Sequence, residues 1–189
     1  PMLATILLLT LLAVATATDV ARHKIFNWTT YPGMVVALAL NGAGDLAARW
    51  SPADAALLKS LGWIGLTASL VGLLVCGFVL LVCYVLLRVG GGDVKLMAMI
   101  GAVLGPEKGV EAMLWTFVLG GCAALVVLIW RVGPWRLASR VARQVLWSLR
   151  LRRWSPLSEE ERAQLQPPLF LAPSALAAVA IVCFGLIPA

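Results

Sequence analysis

Charge is scarce in this sequence. Only 13% of the 189 residues are charged against 61% that are apolar, and the mean hydropathy is +0.94, far from what a soluble domain of this size shows. That scarcity excludes a water-dissolved globular protein and places the chain in a bilayer. Histidine is represented by His23 alone. Cys76, Cys83, Cys122 and Cys183 are scattered through apolar stretches with no C-x-x-C pair. Structural zinc needs clustered thiolates or imidazoles at short spacing, so no metal site is expected, and the thiols read as small hydrophobes. Aspartate occurs only at Asp19, Asp45, Asp54 and Asp93. No internal repeat is present.

What the chain has in quantity is long apolar runs. Segments 2–18, 31–44, 61–87, 94–104, 111–130 and 169–187 are separated by polar or basic joints. The expected fold class is an all-α integral membrane protein of six transmembrane helices, forming a single membrane-embedded domain over 2–189. The first segment lacks the basic start of a secretory signal and reads as a retained helix. The net charge of +6 is explained by topology and anionic lipid headgroups, so the lipid bilayer is an expected partner and nucleic acid is not.

Orientation follows from the joints. With the N-terminus outside, the inner joints carry twelve Lys and Arg residues, from Arg22 and Lys24 to Arg162, and the outer joints only Arg49, Lys59 and Lys108. That excess puts both termini outside. Trp28, Trp130, Trp135, Trp147 and Trp154 then mark the inner interface, with Trp50 and Trp63 near the outer one. Residues 131–154 form a basic amphipathic segment, with Arg136, Arg140, Arg143 and Arg150 at helical spacing, that lies along the inner interface. A polar loop follows, so 131–168 is cytoplasmic. The fourth segment is short: from Asp93 to Glu107 a helix rises only about 21 Å at roughly 1.5 Å per residue, less than a hydrocarbon core of about 30 Å. Asp93 is thereby recessed near a membrane face, where an aspartate marks a functional site. Gly101 and Gly105 in this segment are expected to let helices pack closely.

The sharpest local feature is Gly90-Gly91-Gly92-Asp93-Val94-Lys95-Leu96. Three glycines break the chain at membrane depth and an aspartate opens the next helix, which suits the approach of an extended peptide to a carboxyl group. Peptide hydrolysis by carboxylates needs two of them sharing a proton. Asp45 and Asp54 fall on the outer side of the topology above, whereas Asp19 ends the first segment on the same side as Asp93. Topology thus selects Asp19 and Asp93 as the catalytic pair, with Gly90, Gly91 and Gly92 as a substrate-access loop. Lys95, Arg22 and Asn27 are candidate supporting residues, although Lys95, two positions from Asp93, is expected to meet headgroups.

The stretch Asp19 to Trp28, D-V-A-R-H-K-I-F-N-W, together with G-G-G-D-V-K-L and the following M-A-M-I-G-A-V-L-G-P, resembles the two signature regions of the type IV prepilin peptidases. The likeness is strongest to the short forms that act on Flp, or tight-adherence, pilins. The family's G-x-G-D falls on Gly90, Gly92 and Asp93, and its first aspartate on Asp19. Phe26 stands where the family commonly has proline. The longer members carry a cytoplasmic segment with paired C-x-x-C motifs and an N-methyltransferase activity, for which this chain has no counterpart. The resemblance implies an aspartic endopeptidase of the bacterial cytoplasmic membrane, with its active site facing the cytoplasm. Its substrate would be a prepilin or pilin-like protein with a basic leader, cleaved without cofactor or methylation. Presenilin and signal peptide peptidase proteins also use G-x-G-D, but their other aspartate lies in a Y-D motif within a transmembrane helix. A non-enzymatic transporter or secretion scaffold is the alternative from another class.

Overall fold

The structure, a computed structural model, describes residues 2–22, 25–50, 58–59, 61–87, 90–132 and 171–186. They are helical apart from short connections, in five elements: α1 (Met2–Arg22), α2 (Asn27–Trp50), α3 (Leu66–Leu87), α4 (Gly91–Val132) and α5 (Leu171–Phe184). The basic segment expected over 131–154 and the loop after it lie almost wholly outside the described residues. Among those described, Ala4–Arg22, Leu66–Leu86 and Gly91–Trp130 are long and apolar enough to cross a membrane, and Leu171–Phe184 is a shorter apolar helix. Two compact units are distinguished, one of Pro1–Phe117 with Phe170–Ala189 and one of Val118–Leu169. Asp19 and Asp93 fall in the first, and α4 runs on through 118–132.

In lipid a helix must satisfy its polar groups internally. The threonines of α1 do so by turning back on their own backbone: Thr10 Oγ1 donates to the Leu7 carbonyl at 2.8 Å and Thr18 Oγ1 to that of Ala15 at 2.9 Å. The faces of α3 carry exposed Leu74, Phe78, Val85 and Leu86, the apolar surface that lipid tails accept. Trp28, Trp50 and Trp130 are exposed near helix ends, the positions of interfacial aromatics. Trp63 behaves differently. It is half-buried, and its indole N–H donates to Asp45 Oδ1 at 2.9 Å rather than facing headgroups.

That hydrogen bond belongs to a clamp at the start of α3. Asp45 Oδ2 accepts the Leu66 backbone N–H at 3.0 Å, Asn41 Oδ1 accepts that of Ile64 at 3.0 Å, and Asn41 Nδ2 donates to the Ala37 carbonyl at 2.8 Å. The first N–H groups of a helix have no partner within it, so α2 supplies acceptors for the incoming turn of α3. Asp45 is therefore occupied structurally.

α4 is two helices joined at a corner. Gly105 has φ 80 and ψ 179, a backbone region essentially reserved for glycine. Pro106 bars its predecessor from the helical region and is itself suited to begin a helix. In a straight helix, positions 101 and 109 would lie about 12 Å apart at roughly 1.5 Å per residue. Here a Cβ on Gly109 would stand 3.0 Å from the Gly101 Cα, so the chain doubles back. Gly101 and Gly105 do not share the packing role expected of both: Gly105 makes the corner. Gly101 does pack: a Cβ there would strike the Gly72 carbonyl, and one on Gly72 would strike that of Gly101. Ser69 Oγ donates to the Ala102 carbonyl at 2.6 Å across the same contact.

The limb 91–104 is the centre of the unit. Leu96, Met97, Met99, Ile100, Ala102 and Val103 are buried together with Leu8, Leu12 and Ala15 of α1, Leu80 of α3, and Ala172, Ala175 and Val179 of α5. α1 packs along α5 and α2, and α2 along α3. A helix that is apolar all round and enclosed by others needs no match to lipid thickness. This accounts for the brevity of the fourth segment.

Candidate active site

Asp19 sits in the last turn of α1, with only 8% of its surface exposed. Its Oδ2 accepts the backbone N–H of Ala172, in the first turn of α5, at 3.4 Å. Carbonyls gather at the C-terminal end of α1 and make it partly negative, a poor place for a carboxylate; the N-terminal end of α5 brings the opposite partial charge beside it. Asp93 is the third residue of α4 and half-buried, and its N–H donates to the Gly90 carbonyl at 3.1 Å. The two carboxyl groups lie close enough for the charge of Asp19 to act on Asp93. The two aspartates that topology selected thus stand at the end of one helix and at the start of another, with the charge of Asp19 felt at Asp93.

The glycines differ from the expectation of an irregular loop. Helix α4 already begins at Gly91, and the positive-φ glycines among the described residues are Gly62, Gly65, Gly105 and Gly185. Space is what calls for glycine at two of the three positions. A Cβ on Gly90 would stand 3.0 Å from Asp93 Oδ2, and one on Gly92 3.0 Å from Ile25 Cβ; at Gly91 the nearest atom is Tyr84 Cε2, an unstrained 3.8 Å away. Gly90 leaves room for the carboxyl of Asp93, and Gly92 lets the first turn of α4 settle on the chain just before α2.

Lys95 also reaches that chain. Its Nζ donates to Asn27 Oδ1 at 2.7 Å and lies 5.0 Å from the centre of the Tyr31 ring, so it is engaged within the protein and not only with headgroups. Arg22 lies over the Phe26 ring at 5.7 Å. Asp54 and His23 are outside the described residues. Among those described, no group of three or more His, Cys, Asp or Glu could hold a metal ion. Sequence reasoning missed Ala172 and Tyr31: a backbone N–H leaves no mark in a sequence, and an aromatic near a helix start reads as an interfacial residue. It also passed over Thr16, three positions before Asp19, whose hydroxyl is buried with no partner among the described residues.

Apolar helices fit to cross a bilayer, with a buried aspartate near one helix end and a half-buried one near another helix start, define a polytopic membrane protein with two recessed carboxyl groups. The model of the type IV leader peptidase family matches residues 6–125, more than half of the chain and inclusive of Asp19, Gly90, Gly91, Gly92 and Asp93. The chain belongs to that family and is a protease of the prepilin leader peptidase type. Neither the curated proteins nor the solved structures yield a match.

Proposed function

We propose that this protease is an aspartic endopeptidase that removes the basic leader from Flp-like prepilins at the cytoplasmic face of the bacterial inner membrane, without metal, cofactor or methyltransferase activity. The observation that carries this reading is the family match over residues 6–125, which includes both Asp19 and Asp93; the charge of Asp19 acting on Asp93 supports it. The twelve-to-three distribution of Lys and Arg supports the cytoplasmic placement.

Two adjacent carboxyl groups hold one proton between them, because ionising both is costly. The ionised member takes a proton from water as the water oxygen bonds to the scissile carbonyl carbon, while the protonated member hydrogen-bonds to, and then protonates, the carbonyl oxygen. The tetrahedral intermediate collapses with cleavage of the C–N bond and delivery of a proton to the leaving nitrogen. The pair titrates as a unit. Incubation of purified protein in liposomes with a peptide carrying a basic leader and an apolar helix should give a shortened product by mass spectrometry, unaffected by EDTA. No cleavage, or cleavage lost to the chelator, contradicts the proposal.

Gly92→Val tests the entry segment. The branched side chain would press on Ile25 and move the first turn of α4, and a misplacement of about 1 Å at a catalytic group costs roughly 10²-fold in rate. A loss of that size in kcat, with the melting temperature shifted little, is expected. Wild-type turnover would show that the Gly92–Ile25 contact has no bearing on Asp93.

A further inference from the structure

We propose that Lys95 is a positioning residue for the aspartate pair: its ammonium, held between Asn27 and Tyr31, ties the first turn of α4 to the start of α2 and so sets where Asp93 stands relative to Asp19. The inference rests on the reading of Asp19 and Asp93 as the catalytic pair.

Helical geometry separates the roles. Successive residues turn by about 100°, so Gly92 and Lys95, three apart, project on one side, while Asp93 and Lys95 diverge by about 160°. The contacts agree. Gly92 meets Ile25, and Lys95 meets Asn27 at 2.7 Å and the Tyr31 ring at 5.0 Å. One side of the turn is seated on residues 25–31 and another carries the carboxyl into the field of Asp19. Lys95 therefore acts on Asp93 through the backbone of the turn.

The seat is well chosen for this task. Residue 25 follows Asp19 by only six positions, so the chain that receives Lys95 is tethered closely to the other carboxylate. The turn itself begins after Gly90 and contains Gly91 and Gly92, which give it little side-chain packing of its own. The fully buried residues that hold α4 begin at Leu96, with Val94 beside the aspartate only partly buried against the core. A charge-assisted hydrogen bond and a cation over an aromatic face supply at the helix start the fixation that apolar packing supplies further along. Lysine suits the span because its flexible stem reaches both partners.

The test compares Lys95→Met, Lys95→Arg, Asn27→Ala, Tyr31→Leu and the double variant Lys95→Met/Asn27→Ala in prepilin-peptide cleavage. Lys95→Met should lower kcat by roughly 10²-fold with KM nearly unchanged, Lys95→Arg should recover part of it, and Tyr31→Leu should show a smaller loss. The double variant should be no worse than Lys95→Met alone, because both break one contact. A readout free of turnover is disulfide formation between cysteines placed at positions 19 and 93, which should slow when Lys95→Met is added. The proposal is overturned by wild-type kcat in folded Lys95→Met, by an effect confined to KM, by additive single variants, or by an unchanged cross-linking rate. If Lys95→Met fails to fold, Asn27→Ala and Lys95→Arg carry the same comparison. Asp93→Asn is run alongside: if it cleaves, the aspartate reading itself has failed, whatever Lys95 shows.

Discussion

Asparagine at position 19 or at position 93 is expected to lower turnover by at least about 10³-fold, within the range for loss of a general acid or base, while the protein stays folded. An amide preserves shape but neither takes a proton from water nor gives one to a carbonyl. In the proposed mechanism the carboxyl groups act as one proton-sharing unit, so each single variant should be nearly as inactive as the double. Stability should not fall with activity. The amide oxygen at position 19 can still accept the Ala172 N–H, and removing one carboxylate relieves the repulsion between the pair. Asp45→Asn should behave in the opposite way. Both oxygens of Asp45 accept hydrogen bonds, from the Trp63 indole and the Leu66 backbone, and an amide offers only one acceptor. A loss of about 1–3 kcal/mol with normal turnover of the folded fraction is expected. Cleavage rates paired with thermal unfolding in detergent distinguish the two patterns; near-normal turnover by Asp19→Asn or Asp93→Asn would sink the two-carboxylate mechanism.

Gly101→Val should have the largest effect on the fold. Its first side-chain carbon would collide with the Gly72 carbonyl and come within 2.9 Å of Cys76 Sγ. The colliding backbone atoms cannot rotate away. The α3 and α4 backbones would have to part, releasing the hydrogen bond from Ser69 to the Ala102 carbonyl. In a membrane, lipid tails are as apolar as the helix faces, so close packing rather than water exclusion holds helices together. Nothing then replaces the contact. A destabilisation of at least about 3 kcal/mol, at the upper end for overpacking, should appear as a lower unfolding midpoint in detergent, with turnover lost in proportion to the unfolded fraction. If the midpoint is that of wild type, the glycine contact does not hold α3 to α4.

The legible parts of the molecule were those written in local pattern. A helix covers part or all of each of the six apolar segments, because length and hydropathy are local properties, although residues 62–65 and 185–186 are not helical. Three helices among the described residues are long and apolar enough to cross a membrane. Asp93 was conspicuous beside its glycines, and Asp19 was reached from it by asking which remaining aspartate shares its side. The hidden parts depend on residues distant in sequence. Asp45 reads as an ordinary helix-end carboxylate until the indole of Trp63, 18 positions on, is seen to donate to it. Lys95 resembles any snorkelling lysine until Asn27, 68 positions earlier, is found beneath it. Gly101 and Gly105 look alike as small residues in an apolar run; one faces a neighbouring backbone and the other has the unusual torsion angles, and composition does not tell these apart. The shortness of the fourth segment was visible, but its cause was not, since enclosure by α1, α3 and α5 is a property of the assembled bundle.

The contact between Asp19 and Ala172 also sets a clock. The two residues are 153 positions apart, and at a synthesis rate of about 5–20 residues per second the aspartate is made roughly 8–30 s before its partner. During that interval α1 is in place, and Asp93 follows while α5 has yet to be translated. Asp19 thus gains this partner only when synthesis has passed the start of α5, and a ribosome-bound chain short of that point should lack the proposed protease activity.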